Sequence, residues 1–255
     1  MRILLSNDDG IHAPGLRVLE EIAAGLSDDV WVCAPAEEQS GAGHSLTLHH
    51  PVRLREHGHR RFSVTGTPTD AVNLALRKLF ADGKPDLIIS GINAGENLGD
   101  DITYSGTVSA AMEGALANIP AIALSQQQKV TGAIGGINFD AASGWAARVL
   151  AKLAGMPLAR RTVINVNFPA LASDAVRGVR IVRQGFHDYA RGSLIEGTDP
   201  RGRNYYWFGL DGIEHTADHG TDLEAVKDGY IAITPLQLDL TNYPAMDDIA
   251  ARFEA

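Results

Sequence analysis

The sequence of 255 residues predicts an α/β protein with a doubly wound, mainly parallel sheet. Short runs of Ile, Leu, Val and Ala recur along the chain and are typical of buried strands. Segments with apolar residues at helical spacing lie between these runs. Strands that alternate with helices indicate βαβ units, in which the strands are parallel and the helices cover the sheet.

The predicted elements follow this alternation in chain order. Six runs are predicted as core strands: Ile3–Leu5, Val30–Cys33, Asp86–Ile89, Ala121–Leu124, Thr162–Val166 and Tyr230–Thr234. Helices are predicted at 14–27, from Thr67 to about residue 80, at Val108–Asn118 and at Trp145–Leu153, with short β pieces between 46 and 65. The helix that begins after Thr67 has a capping hydroxyl, a proline at its first position and an acid in its first turn.

The amino-acid composition of the chain changes after residue 183. Residues 184–228 are dense in Gly, Asp, Arg and His, and their longest apolar patch is the aromatic run 205–208. An irregular region of this size is usually a functional loop, an arm or an interface. We therefore expect one unit over residues 1–183 and an irregular region with C-terminal elements over 184–255, where the aromatic run packs against a neighbouring subunit.

Composition and charge exclude several classes of protein. A net charge of −9 argues against a nucleic-acid surface, which would carry a basic patch. Apolar runs are too short to cross a membrane, and the first residues lack the shape of a secretory signal, so we expect a cytoplasmic protein. The single cysteine, Cys33, excludes an internal disulfide and is expected to be a small buried apolar side chain.

The chain's strongest chemical signal is the acidic doublet Asp8-Asp9, which follows the first predicted strand and precedes Gly10. Ligands of open α/β sheets bind beyond the carboxyl ends of the strands, so this doublet lies where a site is expected. Two adjacent carboxylates repel each other unless a cation lies between or beside them. A divalent metal accounts for both acids, whereas helix capping accounts for only one.

Three further segments are expected close to this doublet. Ser40 and its flanking glycines follow the second strand, and the polar, glycine-rich run 90–99 follows the third. Hydroxyl and amide oxygens suit Mg²⁺ or Mn²⁺. The run 104–108 opens the small-residue helix, whose N-terminus is a ready anion site. An oxygen-rich metal site beside an anion pocket is what metal-assisted hydrolysis of a phosphoester requires.

The histidines carry less information. His12 follows the acidic turn, and the sequence does not decide whether it acts as an acid or base or is an ordinary loop residue. The histidines at 49, 50, 57 and 59 are expected to be solvated. His215 and His219 have a spacing that would suit a metal on a helix, but neighbouring glycines leave that helix uncertain.

Five motifs in order make the chain resemble the SurE family of stationary-phase survival nucleotidases. The motifs are Ser-Asn-Asp-Asp-Gly-Ile, the Ser40 loop, Gly-Thr-Pro-Thr-Asp, Ser-Gly-Ile-Asn-Ala-Gly-Glu-Asn-Leu-Gly and Tyr-Ser-Gly-Thr-Val-Ser-Ala-Ala-Met-Glu-Gly. The resemblance is ordered over residues 1 to about 125 and looser from 183 onward. It implies a Rossmann-like fold with a C-terminal extension or swapped arm, a homodimer or homotetramer, and hydrolysis of nucleoside monophosphates and related phosphomonoesters. The resemblance further implies that residues 1–183 are the catalytic domain and that 184–255 contain an oligomerisation arm.

The resemblance also implies roles for individual residues. The ligands of one divalent metal ion per subunit, Mg or Mn, would be Asp8, Asp9, Ser40 and Asn93. The residues in contact with phosphate would be Asn97, Ser105, Gly106 and Thr107. Glu96 lies inside the same loop without an assigned role. Activity toward 3'-nucleotides and polyphosphate stays open.

Other classes fit the residues less well. A phosphoacceptor signalling domain also has paired acids after its first strand, but it needs an acceptor Asp after the third core strand, where this chain has Ser90 and Asn93. Haloacid-dehalogenase-type phosphatases place their two carboxylates two residues apart rather than side by side. A dinucleotide site at Gly41-Ala42-Gly43 lacks a third glycine. A non-catalytic nucleotide-binding oligomer is the remaining alternative.

Overall fold

The structure, a computed structural model, describes residues 1–128, 137–186, 193–209 and 218–253. Within these residues, nine strands form one sheet and two more form a separate hairpin. The strands are β1 (Arg2–Ser6), β2 (Asp29–Pro35), β3 (Leu54–Gly58), β4 (Arg61–Val64), β5 (Leu87–Ala94), β6 (Ala121–Gln126), β7 (Thr162–Phe168), β8 (Val179–Ile181), β9 (Ser193–Thr198), β10 (Asn204–Gly209) and β11 (Ile231–Gln237).

Helices cover both faces of the sheet. The helices are α1 (Pro14–Ala24), α2 (Pro68–Leu74), α3 (Gly106–Leu116), α4 (Asp140–Leu153), α5 (Asp222–Lys227) and α6 (Tyr243–Ala250). α2 continues into a π-helical segment, Ala75–Leu79, and a 3-10 turn, Gly99–Thr103, precedes α3. One apolar core contains residues of α1 and α4, and a second core contains residues of α2 and α3. β1 is buried on both sides, since Ile3 and Leu5 belong to the first core and Leu4 to the second.

The sheet order is β3-β4-β2-β1-β5-β6-β7-β11-β8. From β1 the chain passes to β2, then to the outermost strand β3 and back to β4, and it then crosses to β5 on the other side of β1. β1, β2, β5, β6 and β7 are mutually parallel, whereas β11 runs antiparallel to β7. The predicted α/β class with a mainly parallel, doubly wound sheet is confirmed. Its switch point, where ligands of such sheets bind, lies between β1 and β5.

The structure corrects one loop boundary. The sequence predicts a strand over Asp86–Ile89 and a loop from Ser90, but β5 extends to Ala94. Ser90 and Gly91 are buried, and the register of β5 against β6 shifts between Ser90 and Asn93. A β-bulge of this kind redirects side chains near functional sites, and here it lies directly before Asn93.

The C-terminal part of the chain contributes to the sheet and also extends from it. β11 lies between β7 and β8, so residues beyond 183 complete the nine-stranded sheet. β9 and β10 instead form a separate antiparallel hairpin. None of the helices in the described ranges is long and apolar enough to cross a membrane. Cys33 is fully buried, as predicted, and burial raises the pKa of its thiol to about 12.

Candidate active site at the switch point

The acidic doublet lies in the turn that follows β1. The Asn7 side chain donates a hydrogen bond to the Gly10 carbonyl at 3.0 Å, which closes this turn. Gly10 has a φ of +97°, and a side chain there would lie 3.2 Å from the Glu37 backbone. The amide of Gln39 donates to the Asp8 carbonyl at 2.8 Å. The turn is therefore fixed against the loop that follows β2 and carries Ser40.

Asp8 is almost fully buried, with 4% of its surface exposed, and lies against the N-terminus of α3. The Thr107 hydroxyl donates a hydrogen bond to Asp8 Oδ1. Gly106 leaves room for the carboxylate, because a Cβ there would lie 2.6 Å from Asp8 Cβ and 2.9 Å from Oδ2. These contacts place the acidic turn beside the helix terminus that the sequence predicts as an anion pocket.

Burial makes the ionised form of the doublet unfavourable. Desolvation raises the pKa of Asp8 to about 6, and the neighbouring Asp9 charge adds to this rise. The Thr107 hydroxyl and backbone hydrogen bonds oppose the rise in part. The pKa of Asp9 is also raised, first by burial and then by the charge of Glu38, against a backbone hydrogen bond from Ala94. A cation beside both carboxylates would relieve this penalty.

The other predicted metal ligands lie on the segments that contact this turn. Asn93 stands at the end of β5, and the amide of Ala94 donates to Asp9 Oδ2 at 3.4 Å. Asn93 Nδ2 donates to the Gly95 carbonyl at 2.9 Å. The exposed Ser40 hydroxyl donates to Glu38 Oε1 at 2.9 Å and keeps its lone pairs. Glu38 is therefore an acid near the site to which the sequence analysis assigned no role.

The donor set suits a hard divalent cation. Among the described residues, no group of three or more His, Cys, Asp or Glu side chains is placed to hold a metal ion. A cation at the doublet would depend on two carboxylates together with neutral hydroxyl and amide oxygens, which are ligands that Mg²⁺ and Mn²⁺ accept. Gly106 allows the Asp8 carboxylate to pack against the first turn of α3, and the raised pKa of both acids agrees with a bound cation.

Asn97 is held by a buried polar network that the sequence analysis missed. The Asn97 amide donates to Asn167 Oδ1 at 2.8 Å, and its carbonyl accepts from the Asn165 and Asn167 side chains. Asn97 Nδ2 donates to Ser125 Oγ at 2.7 Å. Two fully buried asparagines at alternate positions of β7, a strand otherwise rich in Val and Ile, are the signal that could have indicated this network.

A buried acid fixes the same loop farther along. Asp222 is fully buried, and its Oδ2 accepts from the Gly99 amide at 2.9 Å while Oδ1 accepts from Gly185 and Leu223. The segment 95–99 is thus connected to β7 on one side and to the start of α5 on the other.

The structure also describes Ser105 and three of the histidines considered in the sequence. Ser105 caps α3, since its hydroxyl accepts from the Val108 amide at 3.1 Å. His12 is exposed, and its ring lies edge-on to His57 with centroids 5.5 Å apart. His57 is half-buried rather than fully solvated and hydrogen-bonds Ser63 at 2.7 Å. His219 pairs with Glu224 at 2.9 Å, and residue 215 lies outside the described residues.

These observations define a doubly wound α/β protein with an acidic, oxygen-rich site at its switch point, beside a helix N-terminus. The family model described as Survival protein SurE matches residues 3–191. A relative from Erythrobacter litoralis named 5'-nucleotidase SurE is 66% identical over 254 residues, which cover 100% of both chains. The chain belongs to the SurE family.

Two further comparisons agree with this assignment. A protein from Caulobacter vibrioides, also named 5'-nucleotidase SurE, is 48% identical and covers 95% of this chain and 92% of its own. The crystal structure of the SurE protein from Aquifex aeolicus superposes with a TM-score of 0.83 at 40% identity and covers 98% of each chain. The resemblance seen in the motifs is confirmed over nearly the whole length.

Proposed function

We propose that the protein is a metal-dependent 5'-nucleotidase, which hydrolyses nucleoside monophosphates to nucleoside and phosphate. The observation that supports this most is the contact between Asp8 and the first turn of α3. It brings carboxylates that suit a cation next to a helix terminus that attracts a phosphate. The names of relatives that are 46% to 66% identical support the substrate class.

One divalent ion per subunit, Mg or Mn, would be held by Asp8, Asp9, Ser40 and Asn93. When bound, such an ion polarises a phosphoryl oxygen and offsets the charge that develops on it during hydrolysis. Asp8 contributes a carboxylate whose charge is poorly solvated, and this favours a bound cation over water. The Thr107 hydroxyl holds Asp8 Oδ1 and thereby fixes the orientation of the carboxylate.

The phosphate would lie against Asn97, Ser105, Gly106 and Thr107. Backbone amides in the first turn of a helix have no partner within the helix and can bind anionic oxygens. The Asn165–Asn167 network fixes Asn97 before substrate arrives, which lowers the entropic cost of binding. In the reaction, the bond from phosphorus to the nucleoside oxygen breaks, a water oxygen takes its place, and the nucleoside oxygen gains a proton.

We expect purified protein with Mn²⁺ or Mg²⁺ to release phosphate from 5'-AMP, because the site then contains the cation that the carboxylates require. EDTA is expected to stop the reaction, and added Mn²⁺ to restore it. Colorimetric measurement of phosphate with a panel of 5'-nucleotides, 3'-nucleotides and polyphosphate would also establish the preferred substrate. If neither metal gives turnover and nucleotide affinity is the same with and without EDTA, the protein is a non-catalytic binder.

The partner that we propose beyond the substrate is a second copy of the chain, in a homodimer or homotetramer. The β9–β10 hairpin exposes apolar side chains, and Trp207 and Phe208 are 67% and 89% exposed. An isolated two-stranded hairpin is marginal in water unless something covers it. We therefore assign residues 184–255 a role as an oligomerisation arm, although β11 within them belongs to the sheet. The lone, buried Cys33 fits a cytoplasmic location.

Replacing both Trp207 and Phe208 with Ser is expected to lower the oligomeric state while the fold is retained, because it removes the largest exposed apolar surface of the hairpin. Light scattering coupled to size-exclusion chromatography measures the mass directly. A matched double variant, Leu48→Ser with Met156→Ser, removes exposed apolar side chains elsewhere and is expected to keep the wild-type mass. An unchanged mass for the hairpin variant would show that the arm does not hold the subunits together.

A further inference from the structure

Several contacts from outside hold the loop that carries Ser40, including those from Thr47 to the Asp70 carboxylate and from the Thr67 hydroxyl to the Ser45 carbonyl. Residues 36–47, called here the Ser40 loop, contain Gly41 and Gly43 with φ values of +74° and +56°. Ser40 is exposed, and its hydroxyl donates a hydrogen bond to Glu38 within the loop. Main-chain bonds fix the loop at Gln39, whose amide donates to Asp8, and at Gly43, whose amide donates to the Tyr104 carbonyl at 3.1 Å.

His44 supplies the side-chain contact nearest to Ser40 that reaches outside the loop. Its Nε2 lies 2.8 Å from Glu113 Oε1, and Glu113 stands two turns along α3 from the proposed phosphate pocket. Only 11% of the Glu113 side chain is exposed. This contact ties the Ser40 loop to the helix whose N-terminus faces Asp8.

Glu113 is itself held by α2. Asn73 Nδ2 donates to Glu113 Oε2 at 2.8 Å, and Arg77 Nε donates to Asn73 Oδ1 at 2.6 Å. Both carboxylate oxygens of Glu113 are thus engaged, one by the Ser40 loop and one by α2. A carboxylate fixed from two sides has little freedom to follow a moving loop, so it provides a rigid anchor for His44.

We propose that His44 and Glu113, supported by Asn73, are positioning residues that hold Ser40 in register with the acidic doublet. The inference rests on the proposed function, in which Ser40 is a metal ligand. Neither residue contacts the doublet in this structure; they act through the loop and through α3. Residues that orient metal ligands in this way commonly change metal affinity or activity by about 10-fold to 100-fold when they are removed.

We expect His44→Ala to weaken Mn²⁺ binding by about 10-fold, measured by calorimetry on the full-length protein. His44→Gln keeps a donor that can reach Glu113 and is expected to recover most of the affinity. Glu113→Ala should weaken binding at least as much as His44→Ala, because it removes the contacts to both His44 and Asn73. The double variant should be no worse than Glu113→Ala alone, because the contact between His44 and Glu113 is already lost. His59→Ala, at an exposed position on the β3–β4 turn, is the matched control and should bind Mn²⁺ like the wild type.

Hydrogen exchange tests the positioning of the Ser40 loop independently of metal binding. Hydrogen exchange of metal-free protein should be about 10-fold faster at residues 40–45 in His44→Ala than in the wild type, with α4 unchanged. Wild-type exchange and wild-type Mn²⁺ affinity in His44→Ala would overturn the inference and leave the proposed function intact. Wild-type protein that binds no Mn²⁺ would contradict the proposed function, and exchange would then decide whether His44 holds the loop.

Discussion

Replacing Asp8 with Asn is expected to make the metal-free protein more stable at neutral pH. Burial raises the pKa of Asp8 to about 6 from a reference value of 3.8. The pKa of Asp8 is higher in the folded protein than in the unfolded chain, so ionisation of this carboxyl group favours unfolding. The penalty begins when the pH rises above the pKa of the unfolded chain, and it is complete above the pKa of the folded protein. Two units of pKa correspond to about 3 kcal/mol, which is an upper limit for the gain. Asn retains the oxygen that accepts from Thr107.

Urea unfolding in EDTA at pH 7.5 and at pH 5 would measure this gain. The advantage of Asp8→Asn should be largest at pH 7.5 and should shrink as the pH falls through 6 toward 4, where the wild-type carboxyl becomes protonated. Asp247→Asn, at an exposed position in α6, provides a matched control and should not change the free energy of unfolding. A variant that is less stable than the wild type at pH 7.5 would contradict the assignment of the penalty to Asp8.

The same substitution is expected to remove activity and to reverse the order of stabilities when metal is added. Mn²⁺ at 100 times its dissociation constant stabilises a protein by about 2.7 kcal/mol, provided that it binds only the folded state. The wild type should gain this amount and Asp8→Asn very little. Phosphate release from 5'-AMP should fall on the order of 10³-fold or more. Together, these two results would show that the acidic doublet lowers the stability of the metal-free protein and provides affinity for a cation.

The sequence was sufficient for most of the sheet because its core strands are continuous apolar runs. β1, β2, β6 and β7 were predicted to within a few residues, and the capping box at Thr67 and Asp70 is present in the structure. The end of β5 was not predictable in this way, since Ser90, Gly91 and Asn93 are turn-forming residue types. They are strand residues here because neighbouring strands pair with this segment: Ser90 pairs with both β1 and β6, and Asn93 pairs with β6.

The sequence indicates those parts of the proposed site whose residues are adjacent in the chain, and it does not indicate the parts that meet only through the fold. The doublet, the Ser40 loop and the start of α3 each carry a local signal. The asparagines of β7 indicate a buried polar network, but they do not indicate that Asn167 binds the backbone of Asn97, because the two residues are 70 positions apart. The same holds for Glu113, whose partner His44 is 69 positions away. Supporting residues of this kind depend on tertiary contacts, and a local pattern does not contain them.

Replacing Gly106 with Ala is the second change expected to have a large effect. Gly106 is the first residue of α3, and Ala is normally a better helix former than Gly by about 1 kcal/mol. The added methyl group, however, would lie 2.6 Å from Asp8 Cβ, 2.9 Å from Asp8 Oδ2 and 3.0 Å from Pro68 Cγ. Because the methyl group has no space, either Asp8 or the helix terminus must move.

We expect Gly106→Ala to lower stability by about 1 to 3 kcal/mol, as overpacking of a close-packed site does. The displacement separates Asp8 from Thr107 and widens the distance between the carboxylates and the phosphate pocket. A displacement of about 1 Å in a site of this kind lowers the rate by about 10²-fold, so kcat/KM for 5'-AMP should fall by this factor. Mn²⁺ affinity, measured by calorimetry, should fall with it.

Gly25→Ala is the matched control. A methyl group at Gly25, at the end of α1, would meet only its own helical turn at 3.3 Å, so this variant should retain full activity. Wild-type kcat/KM and Mn²⁺ affinity in Gly106→Ala would show that the reacting groups do not lie against the first turn of α3, and the site would then have to be sought on the other side of the doublet, toward Asn93 and β5.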